Sequence, residues 1–424
     1  MLSTLSAMQT GDSAPICLAT ERRDLTSVVL MSAISTSRII VIPHSFHPEV
    51  LAAASQSTGA EYAIADPGIE LPPGLRAIDP AEFSLSLESA LIVAELNAKA
   101  AQEHTVDTPF CQLFTGGSTG QPKVWSKTTL NLLGEATILT RLFGISPEDR
   151  ILATVPVQHI YGLLFSVFVP YHSHAGVVAE TPYYPGEIQN LLDQHKCTIL
   201  VSSPAHYKAM AAAPPRCESL RLAFSSGGFL DEADGDAFAA ATGIGITEVY
   251  GSTETGGIAT RNRMAGERYW TPLPSVDCDT KGERLAVKSP MLSPELPLTG
   301  DGFYITGDRG ANVGDVRFEL LGRVDGVVKV GGKRVVLESI KDRLQALPEV
   351  TDVEVISSPD DSARQSRIAA IVVTSLPEAD LRDAARNVLQ PVEMPRLWRT
   401  VAVIPRHGSG KPDRVELVKI TKGD

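Results

Sequence analysis

A chain of 424 residues exceeds one ordinary domain, so two or more are expected, with ample length for a sizeable core. It is 43% hydrophobic and 21% charged, as soluble globular proteins are, and its net charge of −12 argues against a general binder of nucleic acid or of anionic membrane. Cys17, Cys111, Cys197, Cys217 and Cys278 lie far apart with no CxxC pair, which suits a reducing compartment and argues against a disulfide framework or a Cys-rich zinc site.

In chain order, "MLSTLSAMQTGDSAP" has no basic region followed by a long apolar run, so no signal peptide is read. "LTSVVLMSAI" reads as a buried helix, "RIIVIPH" and "YAIADP" as strands, and "LSLESALIVAELNAKAA" as a helix, an alternation that predicts a mostly parallel sheet with packed helices. "GLLFSVFVPY", from Gly162, is about half the ~20 apolar residues of a membrane span. "CTILVSSP", "RLAFSSGG" and "IGITEVYGSTE" are strand-like runs ending in small polar residues, and ligand sites of open α/β sheets collect at such strand ends. From Tyr269 to Gly307 the texture becomes Pro- and Gly-rich, as in a β-subdomain. Beyond "FELLGRVDGVVKVGGKRV", "ESIKDRLQAL" and "EADLRDAARNVL" read as helices and "VTDVEVISS" and "RIAAIVVTSL" as strands, enough for a small α+β domain. The expectation is a cytoplasmic α/β protein: a large N-terminal domain of mixed sheets with a β-subdomain (1–322) and a small α+β C-terminal domain (323–424).

"LFTGGSTGQPKVWSK", Leu113 to Lys127, offers backbone N–H groups, hydroxyls and an ammonium to an anion. Its spacing is not that of a Walker A loop, because Lys123 follows Gly120 by three residues behind a proline, with no Ser or Thr after it, and "VWSK" reads as extended rather than helical. A P-loop kinase or ATPase therefore lacks its context. Taken alone, the stretch also reads as an ordinary surface hairpin.

Four further stretches change that weighting: "EVYGSTETGG" (Tyr250 to Glu254 and on), "YITGDRG" (Asp308), "LGRVDGVVKVGGKRV" (Arg323, Asp325) and "IPRHGSGKPDR" (Lys411). Together with the glycine loop, in this order over residues 110–414, they resemble the adenylate-forming superfamily of acyl- and aryl-CoA ligases, peptide-synthetase adenylation domains and luciferases. The resemblance implies two half-reactions. A carboxylate attacks the α-phosphorus of ATP and expels pyrophosphate, and a thiol then attacks the acyl-adenylate. Bringing an anion to a tetra-anion makes positioning and charge neutralisation the main requirements.

The same resemblance implies the roles. Thr115, Gly116, Gly117, Ser118, Thr119, Gly120 and Lys123 would hold the β- and γ-phosphates, and Glu254 would hold Mg²⁺. Thr253 would contact the α-phosphate and the carboxylate, and Tyr250 would stack on adenine, with Gly251, Ser252 and Gly228 beside the nucleotide. Asp308 would accept from the ribose hydroxyls, with Arg323 assisting. Lys411 would stabilise charge developing at the α-phosphate. The small domain would rotate about a hinge at Asp325, after which Lys329, Gly331 and Gly332 would line a tunnel for a pantetheine thiol. Each has a bland counterpart: a solvated Glu254, a turn at Asp308, a core aromatic at Tyr250, a basic loop at Lys411, a simple turn at Gly331.

"PVQHIYGLLFS" resembles the stretch that gates and lines the acyl pocket, with His159 and Tyr161 as candidates. Ser225, Ser226, Gly227 and Gly228, like Gly256 and Gly257, would leave room for a flat ring, so an aromatic acid such as a hydroxybenzoate is favoured over long acyl chains. Two departures stand out. The loop runs Lys123-Val124 where the family usually has Lys-Gly, and the segment before it is shorter by tens of residues. That shortening is similar to the compact aromatic-acid ligases of aryl-polyene and xanthomonadin-type pigment clusters, which load an acyl carrier protein. It leaves open a more exposed site or a homodimer that covers the surface. Acyl carrier protein and CoA both stand as acceptors. A fatty acyl ligase, or a degenerate nucleotide-binding module without turnover, are the alternatives.

Overall fold

The computed structural model describes residues 14–36, 38–78, 106–115, 123–323, 327–330, 333–358, 367–407 and 410–422. The chain divides into two compact units, Met1–Cys278 with Val287–Tyr304, and Asp279–Ala286 with Ile305–Asp424.

The first sheet collects β1 (Ile16–Ala19), β2 (Ile40–Ile42), β3 (Tyr62–Ala65), β4 (Arg76–Ile78), β5 (Pro109–Thr115) and β6 (Lys123–Thr128) in the order β4-β3-β1-β2-β5-β6. All neighbours are parallel except β5 and β6, which form an antiparallel hairpin. β1 and β2 are buried along their whole length, as strands covered on both faces must be. The helices Arg23–Thr36 and Pro48–Thr58 provide cover. The second begins on a proline, whose missing N–H costs nothing at that position, and ends at Gly59 in the left-handed region, donating to Ser55 O. The predicted helix "LSLESALIVAELNAKAA" lies outside the described residues.

The second sheet collects β7 (Arg150–Ala153), β8 (Gly176–Val177), β9 (Ile199–Ser202), β10 (Leu222–Ser225), β11 (Ile246–Ser252), β12 (Gly256–Asn262) and β13 (Thr271–Pro272) in the order β13-β12-β11-β10-β9-β7-β8. It is parallel from β8 to β11 and antiparallel beyond. Arg23 is 2% exposed and joins the first sheet's helix to this one, donating to the carbonyls of Ala153 at 2.7 Å and Val178 at 2.8 Å. Such a guanidinium is tolerable because carbonyls take up both of its terminal nitrogens, although Nε has no partner among the described residues.

A third sheet is β14 (Asp277–Lys281), β15 (Arg284–Lys288), β16 (Tyr304–Val313) and β17 (Arg317–Arg323) in chain order, followed by the two-stranded ribbon β18 (Val327–Val330) and β19 (Lys333–Val336). The C-terminal residues form β20 (Val350–Ser358), β21 (Arg367–Thr374) and β22 (Leu397–Thr400), over which the helices Leu337–Gln345 and Glu378–Val388 bury Ile340, Leu344, Leu381 and Ala385 against Val353, Ile368, Ala370 and Val372. The strands and helices read from this part of the sequence are all present. Among the described residues no helix is long and apolar enough to cross a membrane.

Candidate active site

The glycine loop joins the two strands of the β5–β6 hairpin. Thr115 pairs with Lys123 across it, and the Thr115 hydroxyl donates to the Lys123 carbonyl at 3.3 Å. The Lys123 ammonium lies 6.0 Å from the Trp125 ring centroid. A strand rather than a helix follows the loop, so the phosphate-loop architecture of kinases and ATPases is absent here. Gly116, Gly117, Ser118, Thr119 and Gly120 lie outside the described residues.

In the second sheet the parallel strands deliver small polar residues at their carboxyl ends in register: Ser202 beside Ser225, with the Thr154 hydroxyl 2.8 Å from the Ser202 hydroxyl. Ser226 donates to Val249 O at 2.7 Å, which ties the end of β10 to β11. Gly227 has φ +88°, so the left-handed turn there favours glycine. Gly228 is exposed. β11 and β12 turn back on each other through Thr253, Glu254 and Thr255, with Ser252 opposite Gly256 and Gly251 opposite Gly257. The crossing is tight: a Cβ on Gly251 would meet Gly256 O at 2.3 Å. Ser252 and Thr255 hydroxyls, 2.8 Å apart, close the turn. The Thr253 hydroxyl and the Glu254 carboxylate, both half-buried, take part in no hydrogen bond among the described residues. Tyr250, on β11, packs its ring 5.5 Å from that of Trp270.

Among the described residues no cluster of three His, Cys, Asp or Glu side chains could cage a metal. A hard divalent cation held by one carboxylate and by substrate phosphates needs no such cage, and the uncommitted Glu254 carboxylate fits that mode.

His159 precedes the short helix Ile160–Leu163, and Tyr161 packs edge-on to Phe165 at 5.1 Å, which in turn meets Phe224 of β10 at 4.9 Å. Burial raises the Tyr161 phenol well above its ordinary pKa, so it acts here as a neutral hydroxyl. Gly256 and Gly257 differ from the sequence reading. The space beside each is filled by the Glu135 carboxylate, whose oxygens would lie 2.6 Å from an added Cβ at either position. The glycines admit that carboxylate, so they leave no room for a flat ring there.

Lys127 and Glu135 are the residues that sequence reasoning missed. Both are almost wholly buried, at 1% and 2% exposure. The Lys127 ammonium reaches Glu254 O at 3.5 Å and Met291 O at 3.4 Å, and Glu135 accepts from Gly257 N at 2.8 Å. Burial pushes the lysine down and the carboxyl up, while their mutual attraction opposes both shifts. A signal existed for Glu135: Leu132, Ala136 and Leu139 form an apolar helical stripe into which it falls.

The remaining candidates belong to the second compact unit. Asp308 pairs with Arg323 across β16 and β17, and its amide donates to the Thr306 hydroxyl at 3.1 Å. Lys411 is exposed on a loop closed by His407 N donating to Lys411 O at 2.8 Å and by Asp413 N donating to Pro405 O at 2.9 Å. Arg406 anchors that loop, giving Asp352 two hydrogen bonds at 2.9 and 3.0 Å. Lys329 lies on β18 opposite Arg334. Asp325, Gly331 and Gly332 lie outside the described residues.

The sulfoacetate–CoA ligase of Cupriavidus necator is 28% identical over 343 residues, covering 74% of this chain and 67% of that protein. The mitochondrial malonate–CoA ligase of Mus musculus is 27% identical over 372 residues, covering 72% and 63%. The chain thus spans about two thirds of the length of these curated relatives. ATP-bound MatB from Rhodopseudomonas palustris superposes with a TM-score of 0.81 at 20% identity, covering 98% of this chain and 90% of that one, and so shares the fold. Residues 13–300 match the family described as AMP-binding enzyme, which takes in both sheets and the Tyr250–Glu254 turn, and the chain belongs to that family.

Proposed function

We propose that the protein is an ATP-dependent acid–thiol ligase. A substrate carboxylate oxygen bonds to the α-phosphorus as the bond to pyrophosphate breaks, and a pantetheine thiolate then bonds to the carbonyl carbon as AMP leaves. The observation that carries this reading is the turn between β11 and β12. It presents an uncommitted hydroxyl and carboxylate, Thr253 and Glu254, at the carboxyl end of β11, inside the stretch matched to the family. The relatives' names support the same reaction class, each being a CoA ligase.

In this reading the glycine loop with Thr115 and Lys123 grips the leaving pyrophosphate. Tyr250, Gly251, Ser252 and Gly228 hold the adenine side, Asp308 and Arg323 the ribose, and Lys411 the charge at the α-phosphate. Mg²⁺ at Glu254 supplies charge that offsets repulsion between the carboxylate and the triphosphate. Residues 323–424 act as a mobile domain hinged at Asp325, exchanging Lys411 for Lys329, Gly331 and Gly332 between half-reactions. The acceptor is CoA or an acyl carrier protein in the cytoplasm.

The acid is an aromatic one such as a hydroxybenzoate, a reading supported by the small residues Ser226 to Gly228 and by Tyr161 beside Phe165 and Phe224. A second reading, a small acid with a second acidic group, is favoured by one observation. His206 Nε2 and Ser225 Oγ, at the carboxyl ends of β9 and β10, are buried without a partner among the described residues, and each can donate to an acidic group. Such groups cost free energy unless a ligand satisfies them. Acid-dependent exchange of labelled pyrophosphate into ATP tests both. Exchange with hydroxybenzoates supports the first acid and exchange with malonate or sulfoacetate the second. No exchange with any acid, in protein that binds ATP, overturns the ligase reading.

A further inference from the structure

The turn that carries Glu254 is gripped from two sides by charges that the proposed reaction does not use. On one side Lys127, at the end of β6, directs its ammonium to Glu254 O and Met291 O. On the other Glu135, at the start of its helix, accepts the Gly257 amide. Neighbouring bonds set the same frame. Ser293 N donates to Glu254 O at 2.8 Å, Ser126 N donates to Glu295 Oε1 at 2.8 Å, and Asn131 Nδ2 donates to Pro290 O at 2.8 Å and Leu292 O at 3.2 Å. The strand that leaves the glycine loop is thereby joined, through Lys127 four residues after Lys123, to the turn holding Glu254. β6 belongs to the first sheet and the turn to the second, so these contacts fix one sheet's edge relative to the other.

Burying an ammonium and a carboxylate is expensive, and an apolar pair of similar volume would pack the space at least as well. Hydrophobic packing has no direction, however, whereas a charge aimed at a carbonyl oxygen and a carboxylate aimed at an amide fix a backbone in angle as well as in place. The glycines at 256 and 257 make the same point, since a side chain at either would occupy the carboxylate's position.

We propose that Lys127 and Glu135 form a buried brace whose role is to hold the Glu254 carboxylate at the position where the metal–nucleotide complex binds. They are positioning residues, acting through the turn. The inference rests on the reading of Glu254 as the metal-holding carboxylate.

The test is binding rather than turnover. Mn²⁺ is titrated into the full chain with α,β-methylene-ATP, free Mn²⁺ is followed by electron paramagnetic resonance, and melting temperature is measured alongside. The proteins are the native chain, Glu254→Gln, Lys127→Met and Glu135→Asp, the last keeping the charge but drawing the carboxylate back from the Gly257 amide. Partners that orient a metal-holding group are worth 10–100-fold in metal affinity, so Lys127→Met is expected to weaken Mn²⁺ binding about tenfold and Glu135→Asp about threefold. Native affinity in both folded variants, whatever their melting temperatures, overturns the brace. If Lys127→Met does not fold, Glu135→Asp decides: weakened binding supports the brace and native affinity rejects it. If Glu254→Gln binds Mn²⁺ as the native chain does, the metal role of Glu254 fails and the brace fails with it. If only Glu254→Gln weakens binding, the metal role stands and the brace alone is wrong.

Discussion

Gly162 is the residue at which packing and the proposed acid site meet most tightly. A Cβ there would lie 2.1 Å from Pro156 O and 2.9 Å from both Pro156 C and Val155 O. The obstacle is backbone, so no side chain can swing aside, and the helix Ile160–Leu163 would have to retreat by about 1 Å to restore normal contact. Overpacking of this kind costs up to about 3 kcal/mol, and the better helix propensity of alanine returns about 1, leaving a loss of about 2 kcal/mol for Gly162→Ala. In a unit of this size that lowers the melting temperature by about 4 °C. The shift is not confined to stability, because Pro156 O also accepts the His159 amide at 3.2 Å, and retreat of the helix drags His159 and Tyr161 with it. The acid's KM in pyrophosphate exchange should therefore rise about tenfold while the KM for ATP stays near native. Gly186→Ala is the control: nothing lies within 4 Å of its added Cβ, so it should be neutral or slightly stabilising. A Gly162→Ala protein with native melting temperature and native acid KM would refute the argument.

Lys411→Ala should lower pyrophosphate exchange by about 100-fold or more with ATP affinity changed less than about threefold, since its charge is needed where charge develops; native exchange sinks the assignment. Arg406→Met removes the anchor to Asp352 and should slow exchange about tenfold, with transfer from preformed acyl-adenylate to the thiol unaffected, as read in a single-turnover assay. Burial pushes the Asp149 carboxyl up, but hydrogen bonds from Arg221, Thr198 and the Ser146 amide outweigh that and hold it at about 2, below the ordinary aspartate range. A depressed carboxyl contributes stability that is complete above its unfolded pKa and is lost as pH falls through the folded one. Native stability should therefore drop between about pH 4 and pH 2, and Asp149→Asn, less stable at neutral pH, should flatten that part of the curve. Parallel acid limbs for the two proteins would contradict it.

Much of the fold could be read from the chain because parallel strands buried on both faces must be written as unbroken apolar runs. "ILVS" and "LAFS" are such runs, and each ends in a serine at the strand's carboxyl end. The helix Leu337–Gln345 was equally plain, since Leu337, Ile340 and Leu344 fall on one face. The candidate site was singled out for a different reason, its resemblance to the family. What the residues from Tyr250 to Gly257 record by themselves is the close approach of β11 and β12, with Gly251 opposite Gly257. Lys127 was not legible. In "KVWSKT" it shares a strand face with Lys123, which is exposed, so alternation assigns it to solvent, and only its pairing with buried Cys111 across the hairpin shows otherwise.

The contrast between those two lysines follows from where the sheets meet. At its start β6 leaves Lys123 exposed; four residues on, the same strand has run under the turn between β11 and β12. Exposure falls along one strand face because a turn of the second sheet closes over it, and a strand's own sequence carries no mark of a turn built more than a hundred residues later. What the chain does carry is the complement, two consecutive glycines at 256 and 257 on the closing strand. Their need is explained by the Glu135 carboxylate below them. A charge hidden on one element and missing side chains on another are therefore a single feature, and neither half can be interpreted until the fold brings them together.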